Sequence, residues 1–277
     1  MIGLGGFLDV YNVLALLMVV VIGLPHGAFD AAVGHYLGAY SSRWAMARFV
    51  VAYSLIAALV VLCWMAFPGI SLAVFLVVSM VHFGWGDATA KTVPIFLLQI
   101  LSHGGVAVFG IVNFHLAEVT TVFDLLTNGS TAIALSVSKV AMFALPVLGL
   151  GYAGLALKYA ELRRRFVELV VVALMLWVLP PLVGFAFYFC FIHTVRHMRH
   201  IWQKLQMIMP KRYLYIQGAG FTLASWILAM ITFFWLDSND LDQDILRVVF
   251  IGLAALTVPH MLLIDGFFRL RGQRRLL

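Results

Sequence analysis

Residues 166–202 read FVELVVVALMLWVLPPLVGFAFYFCFIHTVRHMRHIW, and the way this run is divided decides the fold. As one helix it would be about 55 Å long at 1.5 Å per residue, too long for a single bilayer crossing. Pro180 and Pro181 divide it, because a proline lacks the N–H donor and disfavours helix in the residue before it. The second of the two resulting segments carries His193 and His197. Four residues apart on a helix, these imidazoles stand on one face, the spacing of a bidentate metal site.

The chain around this run is 277 residues long, 64% hydrophobic and only 11% charged, with a mean hydropathy of +1.03. Such values lie far outside the range of soluble domains. No stretch is polar enough to fold separately in water, so residues 1–277 read as a single integral membrane domain. Further apolar runs of bilayer-crossing length, about 17 to 25 residues, fall at 10–32, 48–67, 70–88, 92–114, 131–157, 213–236 and 245–268. The predicted fold is all-α: a polytopic transmembrane helix bundle of about 8 to 9 spans, the lower count applying if one short segment is re-entrant. The first run lacks a basic leader and contains His26, so it is expected to remain as an uncleaved span.

Charge placement orients the bundle. With the N-terminus outside, the inside loops hold Arg43 to Arg48, Asp87 to Lys91, Lys158 to Arg165, Lys204 to Arg212 and the Arg269 to Arg275 tail. The outside loops hold Glu118, Asp124 and the acidic run 237–244. This arrangement obeys the positive-inside rule and places the C-terminus in the cytoplasm of a multi-pass cell-membrane protein. The net charge of +6 is thereby explained by anionic lipid, without a nucleic-acid partner. Cys63 and Cys190 lie inside apolar runs, where a thiol behaves as a small hydrophobe.

The same topology sorts the nine histidines. Counted along their helices, His26, His82, His193, His197 and His260 fall roughly 18 to 25 Å below the outer surface. His103 lands close to the same layer, whereas His35, His115 and His200 fall in loops or near an interface. Ionisable groups at membrane depth are costly and usually functional, so the shared depth predicts a buried metal site built on His26, His82, His193 and His197. His260 and His103 are its candidate neighbours. Pro25 and Pro259 each precede one of these histidines and should leave the carbonyls of Val21 and Ala255 without their helical donors. Asp30, Asp87 and Asp265 follow His26, His82 and His260. They are read as inner helix ends rather than as groups that orient the imidazoles.

An all-histidine site suits zinc, copper, iron or nickel. Four neutral imidazoles leave a divalent ion its full charge and an octahedral one two open positions, which favours Fe(II) and O2. Trp85, Tyr188 and the nearby phenylalanines Phe83, Phe185, Phe187, Phe189 and Phe191 offer either packing or a lining for a long apolar substrate.

Six strings carry a resemblance. They are Gly23-Leu24-Pro25-His26-Gly27-Ala28-Phe29-Asp30, Val81-His82-Phe83-Gly84, Ser102-His103-Gly104-Gly105, Leu126-Thr127-Asn128-Gly129, the stretch Tyr188 to His197, and Phe250 to His260. In order and over nearly the whole chain, they resemble the Brp/Blh family of microbial β-carotene 15,15′-dioxygenases. The resemblance implies a membrane enzyme that splits the central double bond of β-carotene with O2 into two all-trans-retinal molecules, often for use by a microbial rhodopsin. It also implies Fe(2+) held by the histidines that match His26, His82, His193 and His197. His260, His103, Trp85 and Tyr188 then belong to the surroundings of the ion or to the substrate cavity.

Other classes use similar residues. Membrane di-iron carotenoid hydroxylases and desaturases resemble one another in His-x-x-His-His boxes, but this chain has no adjacent histidine pair. A b-type haem electron carrier would pair histidines as axial ligands, and a proton-coupled transporter would use histidines and aspartates as a relay.

Overall fold

The computed structural model describes residues 7–236 and 240–269, and every described element is helical. The side chains of His26 and of residues 267–269, the start of the acidic run at Asp237, and the basic tail beyond Arg269 lie outside the described parts. Helix α1 covers Val10–Tyr36, α2 Arg43–Ala66, α3 Pro68–Asp87 and α4 Val93–Phe114. Then follow α5 (Leu116–Thr127), α6 (Ala132–Lys158), α7 (Ala160–Val178) and α8 (residues 181–205). Last come α9 (Lys211–Trp235) and α10 (Leu241–Gly266).

Among the described residues, seven helices are long and apolar enough to cross a membrane: α1, α2, α3, α4, α6, α9 and α10. They fit a multi-pass membrane protein. The run 166–202 does break at its prolines, since Leu179 and Pro180 are extended and α8 starts on Pro181. Neither half joins the seven. Helix α7 opens with Glu161, Arg163, Arg164, Arg165 and Glu168, and the later turns of α8 carry Arg196, Arg199 and Lys204. Large apolar side chains along α2 and α9 face outward, where only Trp64 and Leu214 respectively are buried. In water that exposure would be untenable; in lipid it needs no partner.

The described chain forms two compact units. One consists of Met1–Leu16 with Phe67–His193, the other of Leu17–Ala66 with Thr194–Leu277. In the first, α3 and α4 pack closely because glycines remove the bulk between them. A Cβ on Gly84 would meet the backbone of Ile100, and one on Gly104 the backbone of Met80 and Gly84. Small residues at such crossings are the usual means of helix association in lipid. Buried Gln99 ties the α3–α4 connection to α6, accepting from the Thr89 and Ala90 N–H groups at 2.8 Å and donating to the Tyr152 hydroxyl at 2.9 Å. Asn128 (φ 51°) and Gly129 (φ 80°) make the left-handed turn that ends α5.

In the second unit, Phe29, Ala32, Val33, Ile201, Leu205, Leu214 and Ile264 form a buried apolar cluster. Helix α1 leaves the α pitch at Val19–Gly23, which is a π turn, and tightens to a 3-10 turn over Leu24–Phe29. In π geometry residue 25 would donate to the carbonyl of Val20, and Pro25 has no donor to give. The Trp226 indole N–H fills the gap at 2.9 Å. The carbonyl that a π turn leaves to Pro25, that of Val20, thus has a side-chain donor. Further π turns occupy Val106–Gly110 in α4, Tyr188–His193 in α8 and Leu262–Arg269. Each π turn lies within a few residues of His26, His103, His193 or His260, the pattern expected where π turns serve a site.

Candidate metal centre

His82 comes from the last turns of α3, and His193 ends the π turn of α8. The helix continues through His197 one turn later. All three are buried, at 0%, 2% and 5% exposure. One ring nitrogen from each lies within 4.8 Å of the others. Among the described residues, this is the group compact enough to hold a metal ion. The His82 and His193 rings stand 4.9 Å apart at 65°.

That spacing can be tested against a bound ion. Imidazoles held through nitrogen at about 2.1 Å place their centroids about 3.2 Å from the metal, hence roughly 4.5 to 5.2 Å apart at right or tetrahedral angles. The observed separation falls inside the range. Buried nitrogen donors also match what divalent transition metals select. The residues therefore fit a metal, and as a purely histidine set they do not choose among iron, zinc, copper and nickel.

Aromatic rings wall this group. Phe83 lies 4.6 Å from the His193 ring, Phe189 stacks on it at 5.9 Å and 11°, and Tyr188 meets Phe83 edge-on at 5.5 Å. Phe185 continues the stack on Phe189 at 5.5 Å and 7°. The phenylalanines thus divide by role: Phe83 and Phe189 are buried at the histidines, whereas Phe187 and Phe191 face outward. Trp85 is half-buried against Phe96.

Two of the three aspartates read as helix ends, Asp87 at the end of α3 and Asp30 within α1, also bond to candidate site residues. The Tyr188 hydroxyl donates to Asp87 at 3.0 Å, both groups being buried. Asp30 accepts from His260 Nδ1 at 2.7 Å and from the Tyr53 hydroxyl at 2.7 Å. The partner of Asp30 is thus a histidine 230 positions away, a pairing that local sequence could not announce. Tyr53 was invisible for the same reason, being one aromatic in a lipid-facing run. Asp265 is buried as well.

His260 sits against His197, with ring centroids 4.9 Å apart at 55°. His103 is buried and lies edge-on to Tyr152 at 5.9 Å, outside the compact group. The backbone of His26 lies in the 3-10 turn of α1. Two of the three histidines set aside by depth have other roles: His35 Nδ1 lies 3.2 Å from the Tyr213 hydroxyl, and His115 Nε2 donates to the Leu176 carbonyl at 2.8 Å.

The comparisons with known proteins bear on the same residues. A family model described as β-carotene 15,15′-dioxygenase matches residues 17–268. A β-carotene 15,15′-dioxygenase from uncultured marine bacterium 66A03 is 37% identical over 264 residues, covering 94% of this chain and 95% of the relative. No solved structure matches. With most of its length covered by both, the chain belongs to the β-carotene 15,15′-dioxygenase family.

Proposed function

We propose that this protein cleaves β-carotene at its central double bond with O2, giving two molecules of all-trans-retinal, at a non-haem Fe(2+) held by His26, His82, His193 and His197. Membership of the dioxygenase family supplies the reaction class. The observation that carries the site is the compact, buried set of nitrogens from His82, His193 and His197. His26 joins them by its match to the family motif. His260, His103, Trp85 and Tyr188 belong to the surroundings of the ion or to the substrate cavity.

The balance of the reaction explains what the chain has to do. One carbon–carbon double bond is replaced by two carbonyls, both oxygens of O2 are consumed, and no proton changes place. No side chain is needed as an acid or base. Bound iron would supply the redox chemistry that lets O2 react with a closed-shell polyene, and the protein supplies orientation and exclusion of water. Phe83, Phe189 and Tyr188 keep the histidine set dry and offer flat surfaces to a conjugated chain. The Tyr188 bond to Asp87 fixes one of these rings.

We place the site at membrane depth, in one integral membrane domain with its N-terminus outside and its C-terminus cytoplasmic. There the substrate is dissolved in lipid, and the retinal product is available to a microbial rhodopsin. Expression in a β-carotene-accumulating host tests the reading. The orange colour should fade as retinal appears, and His193→Ala should abolish both changes. Colour retained by the wild-type protein, with iron present, would refute it.

A further inference from the structure

The second unit contains a cavity of about 100 Å³, lined by residues of α1, α2, α9 and α10 that all belong to that unit. Leu24, Phe49, Leu253 and Leu256 give it an apolar wall. Its lining runs out to Val50, Ser54 and Phe221, which are exposed on the outward faces of α2 and α9. Those faces meet lipid, so the cavity opens sideways into the bilayer. On its inner side Asp30 accepts from the Tyr53 hydroxyl and from His260 Nδ1, each at 2.7 Å.

Three hydroxyls in the same lining are not engaged in this way. Thr222, Ser225 and Thr257 face the cavity, and among the described residues their hydroxyls have no hydrogen-bond partner. Elsewhere in the bundle such groups turn back on their own helix. Thr127, Ser138 and Thr232 donate to the carbonyl four residues earlier at 2.7, 2.8 and 2.9 Å. Thr257 is only 8% exposed, and a buried hydroxyl left without a partner is costly. A ligand that brings an acceptor removes that cost.

The lining also fixes what the ligand is. Arriving from lipid, it is apolar over most of its length. The end that meets three neutral hydroxyls accepts hydrogen bonds, and beside the buried carboxylate of Asp30 it carries no negative charge. At the roughly 30 Å³ a water takes in the liquid, the cavity holds about three non-hydrogen atoms. That is room for the end of a chain rather than for a methylated ring. The cleavage proposed above yields such a molecule, since each product is an apolar polyene with one terminal aldehyde.

We propose that this cavity binds the aldehyde end of retinal, with Thr222, Ser225 and Thr257 as donors to the carbonyl oxygen. The proposal rests on the functional reading above and assigns a product site to the second unit. β-Carotene is a hydrocarbon and has no oxygen to present to these hydroxyls. A site built to hydrogen-bond an oxygen rejects the analogue that lacks it, so the cavity distinguishes product from substrate.

The test uses the full-length protein in nanodiscs with radiolabelled all-trans-retinal. Retinal should bind saturably. Thr257→Val keeps the shape of the side chain but removes the hydroxyl, and should weaken binding by about 2- to 12-fold, the net effect of one hydrogen bond. Thr222→Val with Ser225→Ala should weaken it in the same direction, and this pair decides the matter if Thr257→Val cannot be purified. All-trans-retinoic acid ends in a carboxylate and should compete at least about tenfold less well than unlabelled retinal. Hexadecanal, a lipid aldehyde with the same end on a flexible chain, should also compete more weakly.

Hydroxyl variants that bind retinal as the wild type does would overturn the proposal, as would retinoic acid or hexadecanal competing as well as retinal. Turnover of β-carotene by the same wild-type preparation, supplied with iron, tests the reading beneath it. Retinal binding that depends on the hydroxyls, without any cleavage, would support the cavity assignment and overturn the functional reading instead.

Discussion

Gly104→Ala gives a sharp test of how the fold sets the site. A Cβ at Gly104 would lie 2.8 Å from the carbonyl carbon of Met80 and 2.9 Å from the nitrogen of Gly84, and nearer still to the Met80 oxygen. All three are backbone atoms of α3 and cannot swing aside. Carbon contacts settle at about 3.5 to 4.0 Å, so α3 and α4 would have to part by roughly 1 Å. Overpacking of this kind costs about 1–3 kcal/mol, and a rigid backbone neighbour favours the upper end. The functional effect is larger than the loss of stability suggests. His82 rides on α3 two residues before Gly84, and metal–ligand distances tolerate only about ±0.2 Å. A shift several times that tolerance should lower Fe(II) affinity by at least about tenfold. Thermal unfolding in detergent and chelator competition measure the two effects. Gly149→Ala is the control, since a Cβ there meets nothing within 4 Å. It should be neutral or stabilise α6 by up to about 1 kcal/mol. A Gly104→Ala protein that melts and binds iron like the control would refute the reasoning.

Three further outcomes follow from the same geometry. His82→Ala removes one of the three compact donors and should abolish both iron retention and retinal formation, measured by metal analysis and chromatography, without loss of the helical circular dichroism signal. Tyr188→Phe keeps the ring against Phe83 but removes a buried bond to a carboxylate; bonds to charged groups contribute about 1.5–3 kcal/mol. Its melting temperature should fall accordingly while iron content holds. Trp226→Phe takes away the donor to the Val20 carbonyl, at a cost of about 1–3 kcal/mol for an unsatisfied group, and amide exchange in residues 19–24 should rise first.

Much of this was legible in the sequence because bilayer thickness and helix pitch are fixed lengths. Apolar runs marked the seven long helices, and the adjacent prolines marked the break between α7 and α8. The i, i+4 spacing and the depth count group His193, His197 and His82 from sequence alone, and the fold gathers their nitrogens. Helices α7 and α8 stand outside the seven because charge within a helix weighs against crossing, and the apolar runs alone do not weigh their basic residues. The π turns left no mark, since a change of pitch is settled by what packs around it. Helix rise measures where a residue lies along the axis but not which side chain it will meet. Asp87 does end α3, but that Tyr188 would donate to it and that Asp30 would hold His260 were not to be read from helix rise.

The π turn at Tyr188–His193 has a consequence for how this chain can vary. A π turn is an α-helix with one extra residue accommodated in its coil. Deleting a single residue within 188–193 would let the segment relax to ordinary pitch and keep Thr194 onward on nearly the same side of the helix, whereas inserting one more would rotate everything from Thr194 onward by about 100° relative to what precedes it. His197 would leave its side of the helix with no substitution made to it. Every aromatic side chain in that turn could be exchanged for another with milder effect. An added residue between the Pro181 start of α8 and His197 is thus a graver change than a new identity for most residues inside it, and related sequences with an insertion there should lack the metal.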